Sequence, residues 1–374
     1  MGKDHALPFQ VEPDAGLYLR PTALMCGADA QAALAAGQAL ALAGVGAFGA
    51  AMVYGRAAHG TEVRRFWAPA SVLRDWMQTL ASHHRRRLEG MLDALAAPRP
   101  LPVPFEASLV AQATAQRRPR VMGIVNVTPD SFSGDGLNGE AAVAHGRRLV
   151  DEGADMLDIG GESTRPGARP ITTTQELDRV LPVIAGLKDC GVPISIDSRH
   201  AVVMEATLNA GADMVNDVSA LEHDARAMAV VAGAQVPVVL MHTRGDPRTM
   251  QKGPVYDDVL LDVYDYLERR IEACVETGIE RRRILIDPGI GFGKTVAHNL
   301  ALIDGLAMFH GLGCPVLLGV SRKSFIGAIS GEADAKARLP GSLAAALVGA
   351  DRGVAVLRVH DVAATVQALE IRAA

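Results

Sequence analysis

Aromatic residues make up only 4% of the 374 positions. That scarcity suits helices packed closely on a sheet better than a β-sandwich. Four cysteines, Cys26, Cys190, Cys274 and Cys314, lie far apart and form no C-x-x-C pair. The spacing offers neither a disulfide framework nor a thiolate metal site, and it suits a reducing, cytoplasmic setting. The four read as small buried hydrophobes. No sign of charge dominates: 37 basic residues face 42 acidic ones, a formal net charge of -5. This near balance excludes a dedicated nucleic-acid or anionic-membrane binder. Met1 to Gln10 carry charges and no apolar run, so no secretory leader is expected. The stretch from Ala30 to Gly55 lacks charge and is long enough to cross a bilayer. It is mostly Ala and Gly, with Gln31 and Gln38 inside, and it reads instead as a helix end followed by a strand. No membrane association is expected.

What is present is ordinary globular material. Hydrophobic residues are 49% and charged residues 21% of the chain, enough for a large core and too apolar for disorder. Two parts are visible. Residues 1–104 read as a small α+β unit: an Ala-rich helix at about 29–43, strands Ala47–Arg56 and Thr61–Ala68, and a long amphipathic helix from Ser71 to Ala96. Pro98, Pro100, Pro102 and Pro104 then punctuate a linker in which no helix persists. The basic run His83-His84-Arg85-Arg86-Arg87 reads as a solvated helix face, because nothing aromatic interleaves it.

Residues 105–374 alternate short apolar runs with helical periods. The predicted strands are Val121–Val127, Met156–Ile159, Pro193–Ile196, Met214–Asn216, Val236–Met241, Ile284–Asp287, Val316–Val320 and Val354–Val359. Between them lie helices such as the run from Tyr256 to Cys274, spaced by threes and fours and ended by Gly278. A second opens at Thr173 with Glu176 as a capping box, and a third follows Asp361 as N-cap. Eight β–α units in this length predict a TIM (β/α)8 barrel, with a doubly wound open sheet as the competitor.

In such barrels chemistry gathers where the strands end at the C-terminal rim. All eight predicted ends carry polar or charged groups, more than helix capping alone requires. Arg165, Lys323, Arg358 and His360 form a cationic set suited to phosphate or carboxylate oxygens. Asp197, Asn216 and Asp287 form a second set, able to pair with the N–H edges of an amino-substituted heterocycle. The loops Thr128–Gly139 and Gly160–Thr172 are long, and are expected to be mobile binding loops. The segment Gly289 to Thr295 imitates a P-loop, but Pro288 stands where the pattern needs glycine.

At these residues the chain resembles the dihydropteroate synthases. The segments Met122–Ser133, Asp158–Gly167, Ile286–Lys294, Ser321–Ser324 and Arg358–Asp361 carry the resemblance, in order and with the family's spacing over about residues 105–374. It implies a TIM barrel, a homodimer, Mg²⁺, and condensation of 6-hydroxymethyl-7,8-dihydropterin pyrophosphate with 4-aminobenzoate in folate biosynthesis, with sulfonamides competing for the aminobenzoate site. The implied roles are specific. Asn126 contacts the Mg²⁺ that rides on the pyrophosphate. Asp197, Asn216, Asp287 and Lys323 hold the pterin, walled by Met241 and Phe292. Arg165, Arg358 and His360 bind pyrophosphate. Thr164, Pro166 and Ser324 shape the aminobenzoate site. Asp287, Lys323, Arg358, His360 and Asp197 are the implied catalytic residues. Apart from the resemblance, Gly289 and Gly291 are expected to let backbone approach the flat substrate closely.

The first loop departs from the family, which more often reads Ser-Phe-Ser-Asp-Gly-Gly; here Ser131 to Gly136 place the acid one residue later, at Asp135. The family core does not account for residues 1–104. A corrinoid-linked methyltetrahydrofolate methyltransferase would use the Asp/Asn set but has no need of Thr164-Arg165-Pro166 or of Arg358 with His360. A non-catalytic pterin-binding paralogue would have lost loop or phosphate residues, and none is plainly missing.

Overall fold

The computed structural model describes residues 11–58, 62–98, 101–102, 118–128, 139–163, 170–245, 250 and 253–374. The barrel strands are β5 (Arg120–Asn126), β6 (Met156–Gly160), β7 (Ile194–Asp197), β8 (Met214–Asp217), β9 (Val238–Met241), β10 (Ile284–Asp287), β11 (Leu317–Leu318) and β12 (Val356–Val359). They pair in parallel in the order β10-β9-β8-β7-β6-β5-β12-β11. A parallel bridge between Ile286 and Val316 joins the two ends and closes the ring. The expected eight-stranded barrel is therefore present, and the open-sheet alternative is not.

Strand residues alternate between the two faces of a sheet, and the apolar residues divide accordingly. Outward positions, such as Val121, Leu157, Ile194, Val215, Val238, Ile284, Leu318 and Leu357, join one large core under the helices. Inward positions Met122, Met156, Met214, Val239, Leu285, Leu317 and Val356 form a separate cluster, the floor of the barrel. Leu101, from the Pro-rich connection, packs against that floor.

The outer helices are α4 (Gly139–Asp151), α5 (Thr173–Leu187), α6 (Ala201–Ala210), α7 (Ala227–Ala234), α8 (Val259–Glu276), α9 (Val296–Asp304), α10 (Ser324–Ser330), α11 (Leu339–Asp351) and α12 (Val362–Ala373). The capping box of α5 is formed by Thr172 and Gln175, one residue earlier than expected. Glu176 is instead fully buried and meets His200. Asp361 stands at the N-cap of α12 but makes no capping bond. Its carboxylate accepts both ends of the Arg322 guanidinium, at 3.0 and 2.6 Å.

The N-terminal unit contains β1 (Gly16–Met25), α1 (Gly27–Ala35), β2 (Leu40–Leu42), β3 (Gly46–Arg56), β4 (Val63–Pro69), α2 (Ala70–Met77) and α3 (Ser82–Ala96). The central strand β3 pairs antiparallel with β1, β2 and β4. β1, with Arg20 and Pro21 inside it, had no strand signature and was not expected. The expected long helix from Ser71 to Ala96 is two helices, and the Ala-rich one stops at Ala35 so that Leu40–Leu42 can join the sheet. The basic run is not wholly solvated. His84 is buried, with Nε2 3.0 Å from the Ala15 carbonyl, and Arg87 grips Glu268 on α8 with both ends of its fork, at 3.1 and 3.0 Å. Cys274 and Cys314 are buried, Cys190 is partly buried, and Cys26 is exposed rather than packed away.

The unit lies along α8 and the 3-10 helix Leu306–Leu312. Tyr18 meets Tyr264 edge-on at 5.6 Å, and Tyr264 stacks on Phe309 at 6.2 Å. Among the described residues, no helix is long and apolar enough to cross a membrane.

Candidate active site

The side-chain alternation that builds the barrel floor also builds the site. Two residues beyond an inward floor position, the next inward position lies nearer the C-terminal rim. Met156 is thus followed by Asp158, Ser195 by Asp197, Met214 by Asn216, Val239 by Met241, Leu285 by Asp287, and Val356 by Arg358 and then His360. On β5 the series runs Met122, Ile124, Asn126. A greasy floor and a polar mouth come from one period-two pattern.

Arg358 ties the mouth together. Its Nε donates to Asp158 Oδ2 at 2.6 Å and its Nη2 to Asp197 Oδ2 at 2.8 Å. Asn216 Nδ2 donates to the same Asp158 oxygen at 3.0 Å. Asp158 is fully buried, and its Oδ1 has no hydrogen-bond partner among the described residues. Burial raises the Asp197 carboxyl above its ordinary range; Arg358 opposes that rise, while Asp158, Glu176 and Asp217 add to it.

Asp287 faces a different set of partners. The Gly289 N–H donates to its Oδ1 at 2.7 Å. Burial pushes this carboxyl up, and the Gly289 N–H, Lys323, Lys294 and Arg358 pull it back down. Lys323 Nζ stands 4.2 Å from the centre of the Phe292 ring, a cation–π contact. A side chain at Gly291, where φ is +86°, would meet Lys323 Cδ at 3.2 Å; glycine is the residue that fits. Ser324 opens α10 and is exposed.

Between α4, α12 and the ends of β5 and β12 lies a cavity of about 300 Å³ lined by Asn126, His360, Arg322, His145 and Arg148, among others. His360 is oriented by Ser321, whose Oγ lies 3.0 Å from His360 Nδ1 and accepts from the His360 N–H at 3.1 Å. Asp197, Asn216, Asp287, Lys323 and Arg358 are thus joined by contact or by field, while Asn126 and His360 share the neighbouring cavity. Thr164, Arg165, Pro166 and Asp135 lie outside the described residues, with positions 129–138 of the first long loop and 164–169 of the second.

Sequence reasoning did not single out Asp158, though its inward parity with Asp197 was readable. It also passed over two braces. Arg199 holds both oxygens of Glu162, at 3.0 and 3.2 Å, and Arg179 donates to the Gly161 carbonyl at 2.8 Å. These fix the start of the second loop. Glu162, Glu176 and His200 bring donor atoms within 4.8 Å of one another. Arg199 already neutralises Glu162, and Glu176 Oε2 lies 2.9 Å from His200 Nδ1. These contacts make the group a brace between β6, α5 and the segment before α6. The second brace joins Lys294 to His242, whose Nδ1 lies 2.9 Å from Nζ.

Comparison with known proteins agrees with this geometry. Residues 122–360 match the family described as pterin binding enzyme. The dihydropteroate synthase of Neisseria meningitidis serogroup B is 48% identical over 261 residues, which span 68% of this chain and 92% of the relative. That of Escherichia coli K12 is 42% identical over 268 residues, 70% and 94% of the two chains. The solved structure of Xanthomonas albilineans dihydropteroate synthase with 4-aminobenzoic acid superposes with a TM-score of 0.64 at 53% identity, covering 68% of this chain and 92% of that one. The Yersinia pestis enzyme in a sulfonamide complex gives a TM-score of 0.66 at 43% identity, with the same coverages. The chain belongs to the dihydropteroate synthase family of pterin-binding enzymes.

Proposed function

We propose that the barrel mouth condenses 6-hydroxymethyl-7,8-dihydropterin pyrophosphate with 4-aminobenzoate, giving 7,8-dihydropteroate and pyrophosphate. The observation that carries this reading is the convergence of Asp158, Asp197, Asn216 and Arg358 into one hydrogen-bonded set beside Asp287. Solved structures of the Xanthomonas albilineans enzyme hold 4-aminobenzoic acid in one case and 7,8-dihydropteroate in another.

The pyrophosphate leaves from a CH₂ on an electron-rich ring, so its loss gives a cation delocalised into the pterin. Asp287 and Asp197, with Asn216, are fixed acceptors for the pterin N–H edges and favour that cationic ring. Met241 and Phe292 wall its faces, Gly291 lets backbone come close, and Lys323 bridges the pterin and aminobenzoate halves. Arg358 and His360, with Arg165, receive the departing charge. Thr164, Pro166 and Ser324 shape the aminobenzoate site. The aryl amine is weakly basic and needs no strong general base.

Asn126 fits a role toward Mg²⁺: it is a neutral oxygen donor at an inward position on the cavity shared with His360, and magnesium commonly binds through few protein groups, with substrate phosphates and waters completing its shell. When bound, the ion neutralises the pyrophosphate charge. The reading extends to a cytoplasmic homodimer and to a unit boundary near residue 104, both resting on the family resemblance and the sequence pattern.

A coupled pyrophosphate-release assay tests the proposal. Release must require both substrates and Mg²⁺. Pterin binding without release would make the chain a non-catalytic paralogue, and methyl transfer from methyltetrahydrofolate would make it a methyltransferase.

A further inference from the structure

Lys294 is buried, with 3% of its surface exposed. Its Nζ lies 2.9 Å from His242 Nδ1, 2.9 Å from the Phe292 carbonyl and 3.4 Å from the His242 carbonyl. An ammonium has three N–H donors, and these are three acceptors. His242 is itself buried. Burial, Lys294 and Arg244 hold its imidazole far below the ordinary range, at about 2, so it stays neutral and its Nδ1 accepts.

The placement matters because of what flanks each partner. His242 follows Met241, and Phe292 stands two residues before Lys294; these are the two apolar walls of the pterin site. The two loops touch so closely that a Cβ on Gly289, where φ is +70°, would lie 1.9 Å from the His242 carbonyl oxygen and 3.3 Å from Lys294 Nζ. The His242 N–H donates to the Asp287 carbonyl at 3.0 Å, and Tyr256 Oη donates to the Gly293 carbonyl at 2.8 Å. Lys294 joins the two walls to each other and sets a cation beside Asp287.

We propose that Lys294 is a positioning residue for the pterin half of the reaction, stapling the Met241–His242 and Gly289–Gly293 loops together and supplying a buried positive charge next to Asp287. The inference rests on the proposed function. Burying an ammonium costs several kcal/mol unless it is compensated, and burial lowers the Lys294 amine to about 7 against the pull of Asp287. Such a group is expensive for a loop fastener alone. The charged groups bearing on Asp287 are Lys294 from its own loop, Lys323 from the loop after β11 and Arg358 from β12; from the loop after β9, His242 meets it through a backbone hydrogen bond and carries a neutral ring.

Three variants separate the two parts of the role: Lys294→Met, which removes hydrogen bonds and charge; Lys294→Gln, which keeps a donor without charge; and Lys294→Arg, which keeps charge on a larger head. The readouts are the dissociation constant of 6-hydroxymethylpterin, the KM of each substrate, kcat, and the pH profile of kcat/KM for the pterin substrate, on samples with native circular dichroism. Lys294→Met is expected to weaken the pterin analogue by about tenfold or more. Lys294→Gln recovers part of that binding, yet its acid limb shifts to higher pH, because Asp287 has lost a stabilising cation. Lys294→Arg keeps the acid limb near its original place. Should Lys294→Met not fold, the Gln and Arg variants decide. Folded variants with unchanged analogue binding and an unmoved acid limb overturn the proposal. A wild-type chain that binds the analogue but releases no pyrophosphate sinks the synthase reading instead, and the binding arm then still decides the role of Lys294.

Discussion

Arg358 on β12 reaches past β5 and β6 to place Nη2 2.8 Å from Asp197 on β7. Its Nε rests on Asp158 of β6, at 2.6 Å. One guanidinium therefore fixes a fully buried carboxylate and one of the acids assigned to the pterin. Its role in the mouth is structural before any pyrophosphate arrives.

Replacing Arg358 should damage both stability and turnover. Arg358→Ala leaves Asp158 buried beside Asn216 with no cation, and breaking such a pair costs about 3–5 kcal/mol. Arg358→Lys keeps the charge but loses the planar fork that spans two acids, so it should recover part of the stability and little of kcat/KM. Urea unfolding and steady-state kinetics on both variants check this. Equal stability of wild type and Arg358→Ala would show that the pairing carries no net energy.

Asp287→Asn and Lys323→Ala are each expected to lower kcat/KM by orders of magnitude while leaving the fold intact, because neither holds strands together as Arg358 does. Near-normal kinetics in either variant would contradict its assignment. Thermal melts measured alongside separate a catalytic loss from an unfolding one.

Glycines with positive φ should not respond alike. Gly289 (φ +70°) and Gly191 (φ +86°) share the left-handed region, but only Gly289 faces an obstacle, the His242 carbonyl 1.9 Å from where a Cβ would sit. Nothing lies within 4 Å of a Cβ at Gly191. Gly191→Ala should therefore cost about 1–2 kcal/mol, the left-handed penalty alone. Gly289→Ala should cost more and also weaken pterin binding, because the two wall loops must separate. Paired melting curves and analogue titrations read both effects.

Stability should also carry a pH signature from His200. The hydrogen bond to Glu176 raises its imidazole above the ordinary value, burial opposing. A raised folded-state value means that the contribution is full below the unfolded value of about 6.5 and fades as pH rises through the folded value. His200→Gln should thus be most destabilised relative to wild type near pH 5.5, and the gap should narrow toward pH 8.5. Chemical denaturation at both ends checks the sign. A gap that widens with pH would mean that Glu176 and His200 are not paired as placed.

The barrel was legible because its strands repeat one short code, an inward apolar residue followed two places later by a polar one: Met214 then Asn216, Leu285 then Asp287, Val356 then Arg358. The strand positions were read from short apolar runs between helical periods and the rim residues from the polar groups that end those runs, and the code underlies both. Asp158 obeys it equally, but it was hidden inside a motif read for its later residues. Partnerships were not legible. Nothing local says that Glu176 leaves the capping box to meet His200, or that Lys294 turns to His242, 52 residues away. The N-terminal unit failed for a related reason. β1 carries Arg20 and Pro21 within a strand, and its identity comes from pairing with β3, not from its own alternation. Likewise, the run containing Arg87 looks solvated until α8 supplies Glu268.

That interface leads to the last prediction. Asp258, Asp262, Asp265 and Glu268 mark one stripe along α8, and Arg65, Arg56, Tyr18 and Arg87 meet it from the N-terminal unit. Partly exposed pairs of this kind contribute only about 0.2–1 kcal/mol each. Arg87→Glu should therefore destabilise by about that amount plus the like-charge repulsion with Glu268, and adding Glu268→Arg should restore much of it in a double-mutant cycle. The larger share belongs to the apolar layer beneath, where Tyr264 and Phe309 are fully buried and Met91 nearly so. At roughly 25 cal/mol per Å² of apolar surface, uncovering such residues outweighs several surface ion pairs. Deleting residues 1–100, which keeps Leu101 on the barrel floor, should give a protein that melts lower and self-associates through bared α8. Size-exclusion chromatography with light scattering, run beside thermal melts, reads both. A truncated barrel with unchanged melting temperature and mass per protomer count would mean that the N-terminal unit only rests on α8 and adds nothing to its stability.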